Sequence, residues 1–385
     1  MGASASIPEK IGAAKAKELL GDAFDEAKFA GLCEEGNTEI TGAQALKFLN
    51  STVKNSAFVF IKPHANTSET QAFVKGKLEG AGLKIVQEGA ISGTDIDAKK
   101  LIDQHYYAIA SKATIMKPAE LAVPADKFEE KFGESWEKVL AEDRAVNAMD
   151  ACERFGLDAN GLEAAWRKCE PADKVVKFGG GFYCGLVHVE GKDPLYVFNA
   201  FFMSMRSKFV GEANSIYYYS VEWDPATLSW ADFRGNLLGP TDPNEAPVDS
   251  IRGTILAKWE EVRRRWKRAR VSRIGVSRSS KLTPPPSLQF KLGGVPNKGD
   301  NGVHASASPF EGLAEKMNWL EKSISDEAFG AALMRNGFDD ATIKEWSVDA
   351  RVEGAGEDGA KGSIFDALED MNAPDCLTKC IGIKK

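Results

Sequence analysis

Histidine is nearly missing from this chain: four in 385 residues, at His64, His105, His188 and His304. No apolar run approaches the ~20 residues that cross a bilayer, so a transmembrane helix is excluded. The six cysteines are scattered, with Cys376-x-x-x-Cys380 as the close pair. No paired Cys-x-x-Cys zinc spacing and no secretory signal occurs, so reduced thiols in a cytoplasmic compartment are expected. The glycine run Gly179-Gly180-Gly181 lacks the Lys-Ser/Thr ending of a phosphate-cradling P-loop. No internal repeat is visible. With 27% charged and 43% hydrophobic residues, the rest is ordinary, and the length leaves room for two or three domains.

Acid is locally absent as well. Between Val262 and Lys281 there are nine Lys or Arg and no Asp or Glu, in a chain whose net charge is −7. The run Arg263–Arg270 fits an anionic membrane or a solvated loop, and Pro284-Pro285-Pro286 beyond it favours an extended linker. Nucleic acid is not the expected partner. The opening Met1-Gly2-Ala3-Ser4-Ala5-Ser6 matches the pattern for N-myristoylation at Gly2.

The periodicity predicts helices within residues 8–50. The intervening Cys33–Ile40 has the outline of an EF-hand loop but lacks its aspartate ladder, so calcium is excluded. A strand follows over 57–62, a helix over 68–81, a strand over 83–91 and a helix over about 96–112. Residues from about 113 to 196 read as an inserted, mainly helical subdomain with a hairpin at 179–189. After it come a helix near 201–209, a strand over 216–223 and a helix over 224–237. A second insertion is expected at 260–296. The alternation of strands and helices implies an α/β, α+β-sandwich core of the ferredoxin-like kind.

His304 lies in Asn301-Gly302-Val303-His304-Ala305-Ser306. Small polar neighbours can fix an imidazole's tautomer, and a histidine so held is a competent nucleophile. Three further segments stand in order around it. They are Ala57–Ala65 with Lys62-Pro63, then Gly239-Pro240-Thr241-Asp242-Pro243 with Ile251-Arg252-Gly253, and the helix-like Ala314–Leu320. Together they resemble the nucleoside diphosphate kinases, over roughly 55–106, 198–259 and 297–325.

That resemblance implies a phosphohistidine at His304, oriented by Glu315 with Ser306 close to the ring. It implies phosphate or nucleotide contacts from Lys62, Tyr106, Thr241, Arg252 and Asn301. Phe202 is expected to stack the base, and Arg234 to serve as a second phosphate arginine if a one-residue bulge shifts it into register. Mg²⁺ is expected to bind mainly through the nucleotide's phosphates, with no protein metal site. The chain departs from the family at His64, Ala108, Gly299-Asp300 and Ala307, where acidic or basic supporting residues are lost.

The expected organisation is an N-terminal helical extension over 1–54, a kinase-like domain over 55–325 interrupted twice, and a C-terminal helical extension over 326–385. The expected function is nucleoside diphosphate kinase activity acting on ATP and other nucleotides, in a homo-oligomer located in the cytoplasm or peripherally on a membrane. The alternative is a catalytically weak or inactive nucleotide-binding scaffold tethered to a membrane or partner.

Overall fold

In the computed structural model the described residues are 10–20, 24–33, 38–271 and 296–384. Strands are numbered in chain order: β1 Lys10–Gly12, β2 Glu39–Thr41, β3 Asn55–Ile61, β4 Lys84–Ser92, β5 Ala145–Asn147, β6 Val175–Gly179, β7 Phe182–Val187, β8 Leu195–Phe198, β9 Ser215–Trp223, β10 Val303–Ala305, β11 Arg351–Val352 and β12 Gly362–Ser363. Helix and sheet are mixed, and antiparallel pairing dominates. The chain divides into two units, residues 1–89 with 217–385, and residues 90–216.

The first unit is built on a four-stranded sheet in the order β10-β3-β9-β4. β3 is Asn-Ser-Ala-Phe-Val-Phe-Ile, buried at every position, as expected of a central strand covered on both faces. Alternation divides it. Ala57, Val59 and Ile61 share one core with Tyr219, Val221, Val303 and Ala305. Phe58 and Phe60 face the other way and pack against Trp319, at centroid distances of 6.1 and 5.4 Å.

The Pro309–Leu320 helix covers that second face. Its Gly312 lies so close to β3 that a β-carbon would stand 2.5 Å from the Ser56 carbonyl oxygen. One turn on, the buried Lys316 ammonium donates to Ser56 Oγ at 2.5 Å and pairs with Glu327. The C-terminal helices close a separate core around Phe310, Phe329, Trp346 and Leu377. The expected C-terminal helical extension also holds the antiparallel β11–β12 pair.

The second unit corrects the expectation of a mainly helical insertion. It contains a four-stranded sheet, β5-β8-β7-β6, in which β5 pairs parallel with β8 and the rest are antiparallel. Within that insertion, residues 144–169 start as the buried strand β5 and then form two helices, with Gly156 at φ 69° ending the first. The predicted helix over 96–112 is likewise broken: Lys100 adopts φ 53° between Gly93–Ala98 and Leu101–His105. Residues 224–229 are not helical; a short helix over Trp230–Asp232 leads into a π-turn, Phe233–Leu238. The Ile251 helix runs on to Val271, so the basic run Arg263–Arg270 lies on a helix rather than in a loop.

Candidate functional site

β10 is only three residues long, and its antiparallel pairing with β3 sets what each residue faces. Val303 and Ala305 enter the core, which turns His304 to the opposite face beside its cross-strand partner Phe60. The two rings stack at 4.7 Å with 28° between their planes. His304 therefore sits on a strand braced by an aromatic ring, not in a loop, and its side chain is 17% exposed.

Because Gly312 brings the Pro309–Leu320 helix onto β3, Glu315 reaches the imidazole. Its Oε1 lies 2.5 Å from His304 Nε2, and its Oε2 accepts the Ser306 hydroxyl at 2.5 Å. The Ser306 oxygen accepts the Phe58 N–H at 2.8 Å, which fixes the serine to the central strand. With a proton on Nε2 directed at Glu315, Nδ1 keeps its lone pair. Burial, together with the Lys62, Arg252 and Arg234 charges, pushes His304 well below its ordinary pKa, so the ring is neutral at working pH. Burial raises the Glu315 carboxyl, while the Ser306 hydroxyl and the Lys316 ammonium oppose the rise and favour the carboxylate that accepts the Nε2 proton.

Lys62 ends β3. Its backbone N–H donates to Gly302 O at 2.9 Å and its ammonium to Gly299 O at 2.8 Å, and it is 8% exposed. Arg252, 7% exposed, donates to Val303 O through Nε and Nη2 at 3.1 and 2.9 Å and to Gly239 O through Nη1 at 2.8 Å. Arg252 thus ties the Thr241 loop to the strand that carries His304. Gly253 beside it has a steric reason: a β-carbon there would stand 2.0 Å from the Pro247 carbonyl oxygen. Gly253→Ala is therefore expected to destabilise the protein by about 1–3 kcal/mol through overpacking and to lower any activity with it. Denaturant unfolding checks the stability change.

Asn301 is buried. Its Nδ2 donates to Thr241 O at 3.1 Å, and its Oδ1 has no hydrogen-bond partner among the described residues. The Thr241 contact is therefore made by its backbone carbonyl, while the residue itself is exposed. Arg234 falls on the π-turn, whose wider winding is the sort of irregularity that shifts register by one residue. Its Nη1 is held by Glu369 and Asp370, each at 2.7 Å, and both come from the C-terminal region.

Two expected residues belong to the second unit. Tyr106 ends the Leu101–His105 helix and packs edge-on against His105 at 4.5 Å. The expectation for Phe202 is corrected. It is 0% exposed in the core formed with Val146, Leu162 and Val197, so its ring has no free face on which a base could stack.

Sequence reasoning missed Glu311, one turn before Glu315 on the same helix. It accepts the Ala307 N–H at 3.0 Å, and burial, with Glu315 nearby, pushes it up to about 8. The i, i+4 spacing of two acids near the start of a helix was the available signal. A raised carboxyl binds its proton more tightly in the folded state than in the unfolded chain. Stability from this group is therefore fully present below about pH 4.5 and is lost as pH rises toward 8. Glu311→Gln, which keeps an acceptor for Ala307, is expected to flatten that decline. Melting temperatures at pH 6 and pH 8.5 check it: the variant should lose less than the parent between the two.

No protein-family model matches this chain, and no curated protein matches it. A solved structure described as an NDP kinase from Pyrobaculum aerophilum is similar at a TM-score of 0.30 and 18% identity, covering 69% of this chain and 95% of that one. A likeness at that level carries no argument about activity, and the functional reading rests on the residues themselves.

Proposed function

We propose that this protein is a nucleoside diphosphate kinase with a ferredoxin-like core. The observation that carries the reading is the relay His304–Glu315–Ser306, set beside Lys62 and Arg252 in the motif order read from the sequence. The Nδ1 lone pair of His304 attacks the γ-phosphorus of a nucleoside triphosphate, and the bond to the bridging oxygen breaks as the diphosphate leaves. Positive charge developing on the imidazole is offset by Glu315 through Nε2. A second nucleoside diphosphate then takes the phosphoryl group through its terminal oxygen, and the N–P bond breaks. Lys62 and Arg252 counter the charge on the transferring group, with Asn301 and Thr241 shaping the nucleotide loop.

Magnesium, held by the nucleotide's own phosphates, would neutralise part of their charge. Lys62, Arg252 and Asn301 are cations and an amide, a donor set that suits phosphate oxygens rather than a magnesium cage of protein carboxylates. The test is incubation with γ-labelled ATP. An acid-labile, base-stable phosphoprotein that discharges onto GDP is expected, and its absence from folded protein overturns the assignment.

A second reading, nucleotide binding with little turnover, draws on two observations: Arg234 is engaged by two carboxylates and Phe202 is buried. Calorimetric binding of ATP without a phosphoprotein distinguishes it.

Membrane association belongs to the same proposal. Gly2 lies outside the described residues. A single myristoyl chain binds only marginally and needs a second signal, for which the Arg263–Arg270 run is the basic partner. Liposome flotation after N-myristoylation is expected to weaken on Gly2→Ala or on neutralising the basic run. Unchanged flotation of both variants refutes the tether.

A further inference from the structure

The second unit holds a cavity of about 480 Å³ whose walls include Trp166, Tyr183, Phe201, Glu163 and Glu170. Phe201 is inclined by 56° to Trp166 at 6.1 Å and by 87° to Tyr183 at 5.6 Å. Parallel rings sandwich a flat base; rings set at steep angles form a corner that encloses a rounded group.

The corner is held open by the backbone. Asn199, fully buried at φ 46°, donates to Ile109 O at 2.8 Å and to Gly181 O at 2.7 Å, and accepts the Tyr183 N–H at 2.9 Å. Gly185 lets the indole lie against β7, since a β-carbon there would stand 2.6 Å from the Trp166 ring. The charge is asymmetric too. Arg167 is bonded to Glu163 at 3.0 Å, while Glu170 has no ion pair among the described residues, so the lining carries one net negative charge. Tyr183 already attracts a cation: Lys177 Nζ, from the facing strand, lies 5.5 Å from its centroid.

We propose that this cavity binds an alkylated ammonium group. Such a group is weakly hydrated, rounded and singly positive, which matches inclined aromatic faces backed by a carboxylate. A small inorganic cation needs a shell of oxygens, and an anion would meet the net negative charge. Either a free quaternary amine or a methylated lysine side chain carries this chemistry.

The experiment uses the full chain. Tetramethylammonium and choline are titrated by NMR, alongside 3,3-dimethylbutan-1-ol, the neutral isostere of choline, and adenosine as a flat competitor. Upfield ring-current shifts of the N-methyl protons are expected. Choline should bind roughly 3–30-fold more tightly than its neutral isostere, the range a cation–π contribution provides. A trimethyllysine peptide against free choline tells which source is preferred, and tighter binding of either supports the proposal. Tyr183→Leu should lose the shift. Glu170→Gln, an exposed substitution that leaves folding alone, should weaken binding severalfold, whereas His304→Ala should bind as the parent does. Equal affinity for the neutral isostere, displacement by adenosine, no shift at millimolar ligand, or parental binding by both cavity variants overturns it.

Discussion

His304→Ala is expected to abolish both the phosphoprotein and transfer from ATP to GDP, leaving a folded protein. The nucleophile is the one group in the proposed reaction that no neighbour replaces. Ser306 is committed to Phe58 and Glu315, and Glu315 is buried behind the ring. Removing the imidazole also leaves the Glu315 carboxyl without its 2.5 Å partner. Its already raised pKa then lets it take up a proton rather than remain a stranded charge, so the fold should survive. Far-ultraviolet circular dichroism and the melting temperature establish that. Residual transfer above background in a folded variant would sink the assignment of His304. Glu315→Gln provides a graded companion. The amide still contacts Nε2 but cannot offset the imidazole's developing charge, so phosphorylation should slow while the nucleotide still binds.

Lys62→Ala and Arg252→Ala are each expected to lower kcat/KM by roughly 10²–10³, the usual effect of removing one preorganised donor from developing charge. The two should differ in stability. Lys62→Ala takes the ammonium donor from Gly299 O. Arg252 leaves Val303 O and Gly239 O without their guanidinium donors at a buried position, which costs about 1–3 kcal/mol for each unsatisfied group. Arg252→Lys separates the two roles: it retains the positive charge but cannot span both carbonyls. Activity is measured against unfolding free energy for each variant. If Lys62→Ala kept the parental kcat/KM, the phosphates would have to lie elsewhere. If Arg252→Ala lost activity only in proportion to its folded fraction, the arginine would be a brace alone.

The local chemistry around His304 could be read in advance because its parts lie close along the chain. The eleven-residue step from His304 to Glu315 crosses one strand end and about two turns of one helix, so linear spacing nearly fixes the geometry. The Lys62 position followed equally directly from the end of an apolar run. Phe202 failed for the opposite reason. An aromatic at the start of a helix looks the same in sequence whether it faces a ligand or a core, and only the packing of Val146, Leu162 and Val197 around it decided the matter.

By itself, the sequence determined the central apolar strand, the helix that carries Glu315, the small number of histidines and the local excess of basic charge. These are properties of neighbouring residues, set by alternation, helical period and composition. Only the tertiary structure decided that β10 pairs with β3 and so turns His304 onto Phe60, and that Glu369 and Asp370 reach Arg234 from more than a hundred residues away. It also decided that short strands after position 144 assemble into a second sheet. Each depends on pairing between distant segments, where hydrogen bonding and burial outweigh local propensity and a three-residue strand carries too little pattern to announce itself.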